Sequence, residues 1–289
     1  MIASRQIPLI AVPEPRHQSA TDTVRLLAFN AQHSSPSRAR LQAAWIAGEE
    51  TADLVVLTEV GPGPGGRALI DAMTEHGYTS VIAPEPAFPD YSTVLASRGP
   101  DLIAVPSGID ILPHRGPAAA IGIAGQTIGL LGIYVPSRGP RQRRNENKRA
   151  FQQAVTSALP GFLARFADPV IIAGDLNVVE PGHAPHHRVF GAWEYDFYRS
   201  FCGAGMADAY RAQHPHAIEH SWFGRSGQGY RFDHVFVSAR HSAQVRSCAY
   251  LHAPRQRGLT DHAALSITLT LITKDAAGAP RRARAASPA

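Results

Sequence analysis

An α/β layered fold is predicted by this sequence, on the strength of a simple alternation. Short apolar runs that stop at polar residues are interleaved with amphipathic stretches of helical period. No internal repeat and no low-complexity linker interrupts them, so the middle of the chain reads as one domain over residues 23–273. VRLLAFN (24–30) has strand length and ends at Asn30. ARLQAAWIAGE (39–49) reads as an amphipathic helix. DLVVLTE (53–59) is a second strand, ending at Glu59, and GPGPGG (61–66) reads as the turn that follows it. TIGLLGIYV (127–135) is a strand carrying Tyr134 near its end, and NENKRAFQQAVTSAL (145–159) is a second amphipathic helix. PVIIAGDLN (169–177), RFDHVFVS (231–238) and HAALSITLTL (262–271) complete the strands.

Composition narrows the class of protein. The chain has 289 residues, of which 44% are hydrophobic and 18% charged, values ordinary for a protein that folds around its own core. No apolar run reaches the roughly 18 residues of a membrane span. The N-terminal segment is broken by Pro13 and lacks the pattern of a secretory signal, so a cytoplasmic protein is expected. Cys202 and Cys248 stand in no metal or redox spacing and read as reduced thiols. Residues 1–22 and 274–289 lack apolar periodicity and read as flexible tails, the second one basic. That second tail holds Lys274, Arg281, Arg282 and Arg284 against Asp275, so it carries +3 of the formal net charge of +5. Affinity for a polyanion must therefore come from where the remaining charges sit and not from their sum.

The residues at the strand ends carry the chemistry. Asn30, Glu59, Tyr134, Asp175, Asn177, Asp233, Asp261 and His262 all fall at or near such ends, where an open α/β sheet gathers its site residues. Each alone could be a strand stop, but the set consists of carboxylates, amides, an imidazole and a phenol. Hydrolysis of a phosphodiester needs a water in line with phosphorus and neutralisation of the phosphoryl oxygens. Hard oxygen ligands suit Mg²⁺ or Mn²⁺, and no Cys or His cluster with zinc spacing is present. The trios His183/His186/His187 and His214/His216/His220 read as structural or solvent-exposed. His234 points away from Asp233 if the strand assignment holds.

The ordered motifs resemble the endonuclease/exonuclease/phosphatase superfamily. FNAQ (29–32) is similar to its first-strand Asn motif, LTE (57–59) to its metal-ligand Glu motif and IYVPSRG (133–139) to its YxPxG segment. GDLN (174–177) is similar to GDxN, and LTDHAAL (259–265) to the terminal SDHxP motif. Within the superfamily, HSWFGRSGQGYRFDHVFVS (220–238) resembles the exonuclease III-like apurinic/apyrimidinic endonucleases. There an aromatic pair precedes G-W-R-[IL]-D, matched here by Trp222-Phe223 and by Gly229-Tyr230-Arg231-Phe232-Asp233. Tyr230 replaces the usual Trp, the segment is shorter than usual, Gln32 stands at a position of Asn or Asp, and Thr260 replaces Ser.

The resemblance implies a four-layer α/β sandwich of two packed mixed sheets flanked by helices. It implies Glu59, Asn30 and Asp261 at the metal and Asp175 and Asn177 at the attacking water. His262, oriented by Asp233, would face the phosphate, with Tyr134 on the phosphate or leaving oxygen. Trp222, Tyr230 and Phe232 would form a pocket for a flipped abasic sugar. Arg138 and the basic run that follows it would track a phosphate backbone, or else sit in solvent as an ordinary loop and helix start. The expected activity is Mg²⁺-dependent cleavage of double-stranded DNA at abasic sites with 3′–5′ exonuclease action, by a monomer. A phosphoesterase acting on a phospholipid, inositol phosphate or RNA, and a non-catalytic nucleic-acid-binding module, are the competing readings.

Overall fold

The structure, a computed structural model, describes residues 23–138 and 142–271. The expected tails at 1–22 and 274–289, and Arg141 of the basic run, lie outside the described residues, as do the side chains of Arg143 and Arg144.

The strands are β1 (Thr23–Asn30), β2 (Leu54–Val60), β3 (Ser80–Ile82), β4 (Ser92–Ser97), β5 (Leu102–Val105), β6 (Ala118–Ile123) and β7 (Gln126–Tyr134). They continue with β8 (Val170–Asp175), β9 (Met206–Asp208), β10 (Trp222–Phe223), β11 (Gly229–Tyr230), β12 (Asp233–Ser238), β13 (Val245–Leu251) and β14 (Ala264–Thr270). The helices are α1 (Pro36–Trp45), α2 (Pro64–Glu75), α3 (Gln142–Leu163), α4 (Ala192–Gly203), α5 (Ala209–Gln213) and α6 (Ala253–Gln256). Two six-stranded mixed sheets result, ordered β13-β14-β1-β2-β4-β3 and β5-β6-β7-β8-β12-β9, with β10-β11 a separate hairpin.

Both faces of the central strands are covered, which is why their sequences run apolar instead of alternating. Leu26, Val56, Leu130, Ile171 and Val235 meet between the sheets. Leu27, Phe29 and Val55 face Ala39 and Ala43 of α1 and Leu69 and Met73 of α2. Leu131, Ile172 and Phe236 face Phe151 and Val155 of α3 and Phe197 and Phe201 of α4. The layering is therefore helix, sheet, sheet, helix, as the sequence leads one to expect.

Three sequence readings need correction. The glycine-rich 61–66 segment is a turn only as far as Gly63; Pro64 opens α2, with Gly65 and Gly66 inside the helix. The helix read at 39–49 starts earlier, at Pro36, and finishes as a π-helical turn at Ile46–Glu50. The strand read from Arg231 begins at Asp233. Its neighbour His234 does lie on the other face, with its Nε2 on the Val178 carbonyl at 3.0 Å.

Candidate active site

The site is built at one end of the inter-sheet core, because strand parity carries polar residues onto the core-facing side there. Tyr134, Asp175 and Asp233 are aligned rungs of β7, β8 and β12. They continue the inward rows that hold Leu130, Ile171 and Val235 deeper in the sandwich. Asn30 prolongs the inward row of β1 in the same way. The glycine of GDLN is there for close approach. Gly174 has φ +141, and a Cβ there would stand 2.1 Å from the Ile133 carbonyl oxygen. Only glycine lets β8 approach β7 at this point.

Glu59 arrives by a different device. Simple alternation along β2 would turn it toward the helix layer, since Leu57 faces there. The pairing of β2 with β4 is interrupted between Leu57 and Val60, and Glu59 has φ +55. A bulge with a left-handed residue re-aims the side chain, at a local conformational cost. Glu59 thereby joins the wall of the cleft. Asn177 is also left-handed, at φ +49.

Hydrogen bonds knit these groups together. His262 Nδ1 donates to Asp233 Oδ2 at 2.7 Å. Asn30 Nδ2 donates to Asp175 Oδ2 at 2.9 Å, and its Oδ1 accepts from the Gln32 backbone at 2.9 Å. Asp175 Oδ1 accepts from the Asn177 backbone at 2.8 Å, while the Asn177 amide donates to Val135 O at 2.9 Å. Thr260 Oγ1 donates to Asn30 O at 2.7 Å, so the threonine ties the last motif to the first. Gln32 contributes through its backbone. His262 Nε2 lies 3.5 Å from Asn30 Nδ2 and 4.0 Å from Asp261 Oδ1.

Electrostatics follow from burial and from the excess of carboxylates. Asp175 is buried, and burial followed by the negative charge of Asp233 raises it to about 8. Burial alone would lower His262, but the Asp233 carboxylate wins and raises it to about 10. Burial, reinforced by Glu59 and Asp175, holds the Tyr134 phenol well above its ordinary range, so it stays protonated. The nearby arginines do not balance the acids: Arg115 is paired with Asp90 at 2.5 Å and Arg138 with Glu194 at 2.7 Å. Glu59, Asp175, Asp233 and Asp261 thus face two imidazoles, the buried His262 and the exposed His33, whose Nδ1 lies 3.2 Å from Glu59 Oε1. Asp261 Oδ1 is buried without a hydrogen-bond partner, while its Oδ2 accepts from Trp222 Nε1 at 2.9 Å.

This surplus of negative charge, with an unsatisfied carboxylate oxygen, is the chemistry of a hard cation site. Ligand atoms of Asp175, Asp233 and His262 lie within 4.8 Å of one another. Since His262 and Asp233 are already bound to each other, Glu59 and Asp261 offer the less committed oxygens. Asn30 is engaged on both sides and supports Asp175.

Beside the acids opens a cleft of about 340 Å³ lined by Tyr134, Arg138, Asp175, Asn177, Trp222, Tyr230, Phe232 and His262, among others. Every site residue picked out in the sequence except Asn30 and the buried Asp233 reaches its surface. Trp222 and Phe232 stack at 5.6 Å between centroids, and Tyr230 and Phe232 at 5.0 Å. The cleft also takes Val189 and Phe190 from the segment after β8, which has no periodicity to betray it. His187 of that segment stacks on Tyr230 at 4.0 Å. His183 and His187 both place Nε2 on the Gly229 carbonyl, at 3.2 and 2.9 Å. The first histidine trio is therefore structural in part: two members brace the hairpin, and His186 is exposed.

Two stacked mixed sheets with an acid-and-imidazole cluster at one end define a class of hydrolytic phosphoesterases and nucleases. The chain belongs to the Endonuclease/Exonuclease/phosphatase family, whose profile matches residues 27–262. Among solved structures it is similar to a 3′ phosphatase from Neisseria bound to a product DNA hairpin. That likeness has 17% identity and a TM-score of 0.69, and covers 84% of this chain and 98% of the other. It is also similar to an AP endonuclease from Archaeoglobus fulgidus (20% identity, TM-score 0.68, 86% and 100% covered). A 3′–5′ exonuclease from Neisseria meningitidis gives 18%, 0.66, 84% and 98%. No curated protein matches the chain. No helix among the described residues is long and apolar enough to cross a membrane.

Proposed function

We propose that the protein is a Mg²⁺- or Mn²⁺-dependent phosphodiester hydrolase acting on double-stranded DNA, cleaving at abasic sites and trimming 3′ ends, as a cytoplasmic monomer in DNA repair. The observation that carries the reading is the aromatic wall of Trp222, Tyr230 and Phe232 opening directly beside Asp175 and His262. An apolar pocket of that kind admits a sugar without its base, while a base-bearing nucleotide pays for unstacking and must still fit. The Archaeoglobus relative is described as an AP endonuclease, and one Neisseria relative as a 3′ phosphatase; both activities fit a cleft that takes a sugar next to a phosphate.

In this reading Glu59 and Asp261 would hold the metal ion, which would supply Lewis-acid neutralisation of charge on the phosphoryl and leaving oxygens. Asp175 takes the proton of the attacking water, with Asn30 and the Asn177 backbone fixing its carboxylate. His262, kept cationic by Asp233, presents Nε2–H to a phosphoryl oxygen. Tyr134 donates its phenolic proton to a second oxygen of the phosphate or the leaving group. Trp222 links pocket and metal side by holding Asp261 through its indole N–H.

Incubation with Mg²⁺ and a duplex holding one tetrahydrofuran site should give a nick on its 5′ side. A folded protein that hydrolyses bis-p-nitrophenyl phosphate but never nicks this duplex supports the second reading, a phosphoesterase with a non-DNA substrate. The small hairpin β10-β11, and the pairing of Arg138 with Glu194 in place of an open charge, favour that second reading.

A further inference from the structure

Lys148 belongs to the basic run after Tyr134, yet it is fully buried, at 0% exposure. Its Nζ donates to Glu194 Oε1 at 2.5 Å and to the Asn177 carbonyl oxygen at 2.8 Å. Glu194, itself fully buried, bonds Arg138 through Oε2 at 2.7 Å and accepts from the Gly191 backbone at 3.0 Å. The ammonium lies 5.7 Å from the ring centres of both Phe190 and Trp193. A buried lysine among aromatic rings is costly unless it is paired, and a simple core would use an apolar residue of that volume.

What the lysine touches explains its presence. Asn177 stands in the left-handed region, which asparagine tolerates through local side-chain hydrogen bonds. Its N–H fixes Asp175 Oδ1 and its side chain spans Val135 O and Asp175 Oδ2. Lys148 restrains the remaining polar atom of the same residue's backbone, the carbonyl. The other arm of Glu194 restrains Arg138, which lines the cleft. One carboxylate therefore joins a backbone support behind Asp175 to a cation at the cleft wall.

We propose that Lys148 is a positioning residue: its ammonium, set by Glu194, holds the Asn177 peptide in place and thereby aims the Asp175 carboxylate. It does not contact phosphate. The inference rests on the hydrolase reading for its kinetic arm only.

The test uses the whole protein, with Lys148→Met and with the double variant Lys148→Met/Glu194→Gln. The double variant leaves no lone buried carboxylate and keeps an acceptor for Gly191 N–H, so it provides a folded comparison if the single variant is unstable. The first readout is amide hydrogen exchange, which needs no activity. Protection of the Asn177 N–H should fall in both variants, while that of β8 residues such as Ile171 stays unchanged. The second is hydrolysis of bis-p-nitrophenyl phosphate, where kcat should drop by about 10- to 100-fold, the range for groups that orient a catalytic residue from behind. KM should hold, and the drop should vanish in an Asp175→Asn background, because the Asn177 peptide acts on the rate through that carboxylate. Unchanged Asn177 protection, or a loss that adds fully to that of Asp175→Asn, overturns the proposal. A parent protein that hydrolyses nothing overturns the hydrolase reading instead and leaves the exchange result to decide on Lys148.

Discussion

Asp233 Oδ2 lies 2.7 Å from His262 Nδ1, and this pair joins β12 to the loop that precedes β14. The two strands belong to different sheets. The bond is therefore both a tie across the top of the sandwich and the reason His262 is raised to about 10 against the effect of its own burial.

Replacing Asp233 by Asn removes the charge while keeping the shape. His262 then falls toward the ordinary imidazole range, because the largest charge opposing its burial is gone while Asp175 and Asp261 still raise it. With the raised value, the protonated form dominates throughout neutral pH, and its contribution to stability is present below the unfolded value near 6.5 and lost as pH rises through about 10. In Asp233→Asn the protonated form should already be lost as pH rises past roughly 6 to 7. A pH–rate profile on bis-p-nitrophenyl phosphate should show kcat lower by roughly 10²- to 10³-fold at pH 8 and partial recovery near pH 6. A variant with the parent's profile would mean that His262 does not act as a cation.

Asp175 makes a stability prediction of the same sign, in a lower pH window. Its folded-state value is raised to about 8 by burial and by Asp233, against roughly 3.9 when unfolded. Between these values the folded state binds more protons, so metal-free stability should fall as pH climbs from about 4 to 8. In EDTA, Asp175→Asn should melt at or above the parent temperature at pH 8.5, with little difference at pH 4.5. Mg²⁺ or Mn²⁺ should raise the parent's Tm more than the variant's, since a bound cation offsets the same repulsion. Hydrolysis by Asp175→Asn should drop by about 10³-fold or more, as expected for loss of the general base. Thermal scans at the two pH values, with and without metal, check the sign directly.

Much of this site is legible in the chain because strand ends collect it. Asn30, Asp175 and Asp233 need only strand parity to reach one place, and parity is written in the apolar runs. Glu59 is a different case. Its residue type is plain in LTEV, but the bulge that turns it inward leaves no mark there. Helix α2 is hidden because Gly65 and Gly66 look like turn residues. They are glycines because a Cβ would meet Ser34 O at 1.6 Å and Gly61 O at 1.9 Å, which is close packing and not turning. Lys148 is disguised by its basic neighbours, for burial of one member of a charged run depends on a carboxylate 46 residues away.

Trp222 joins pocket and acid cluster, and Trp222→Phe separates the two roles. The ring remains for stacking, but the donor to Asp261 Oδ2 is lost, leaving a carboxylate whose other oxygen is already unpartnered. Loss of such an outer support weakens metal affinity by about 10- to 100-fold. Activity should therefore be restored by raising the Mg²⁺ concentration, with a right-shifted activation curve and near-parent kcat at saturation. A loss of kcat that metal does not repair would mean that the Trp222–Asp261 bond does not act through metal binding.

The arginine of the 229–233 segment bears on stability and on the site together. Arg231 is fully buried and its Nη2 bonds Glu180 Oε2 at 2.6 Å and Asp208 Oδ2 at 2.7 Å. Its Nη1 reaches the Tyr250 hydroxyl, which in turn donates to the Asp233 carbonyl at 2.5 Å. Although burial opposes ionisation of Asp208, the Arg231 charge holds that carboxyl well below its usual range. The stability this contributes is present above the unfolded value near 3.9 and fades as pH falls below it. Arg231→Met deletes one partner of a buried network, which costs about 3–5 kcal/mol by leaving carboxylates unpaired. Glu180 retains Arg211, at 2.5 Å, but Asp208 keeps only the Tyr198 hydroxyl, His234 and the Arg211 backbone N–H. Urea unfolding at pH 7 should show that loss, and the gap between variant and parent should narrow toward pH 3 as Asp208 protonates. If Arg231→Met unfolds with the parent's midpoint, the network is neutral to stability, and the Arg231 side chain is not what holds the chain entering Asp233.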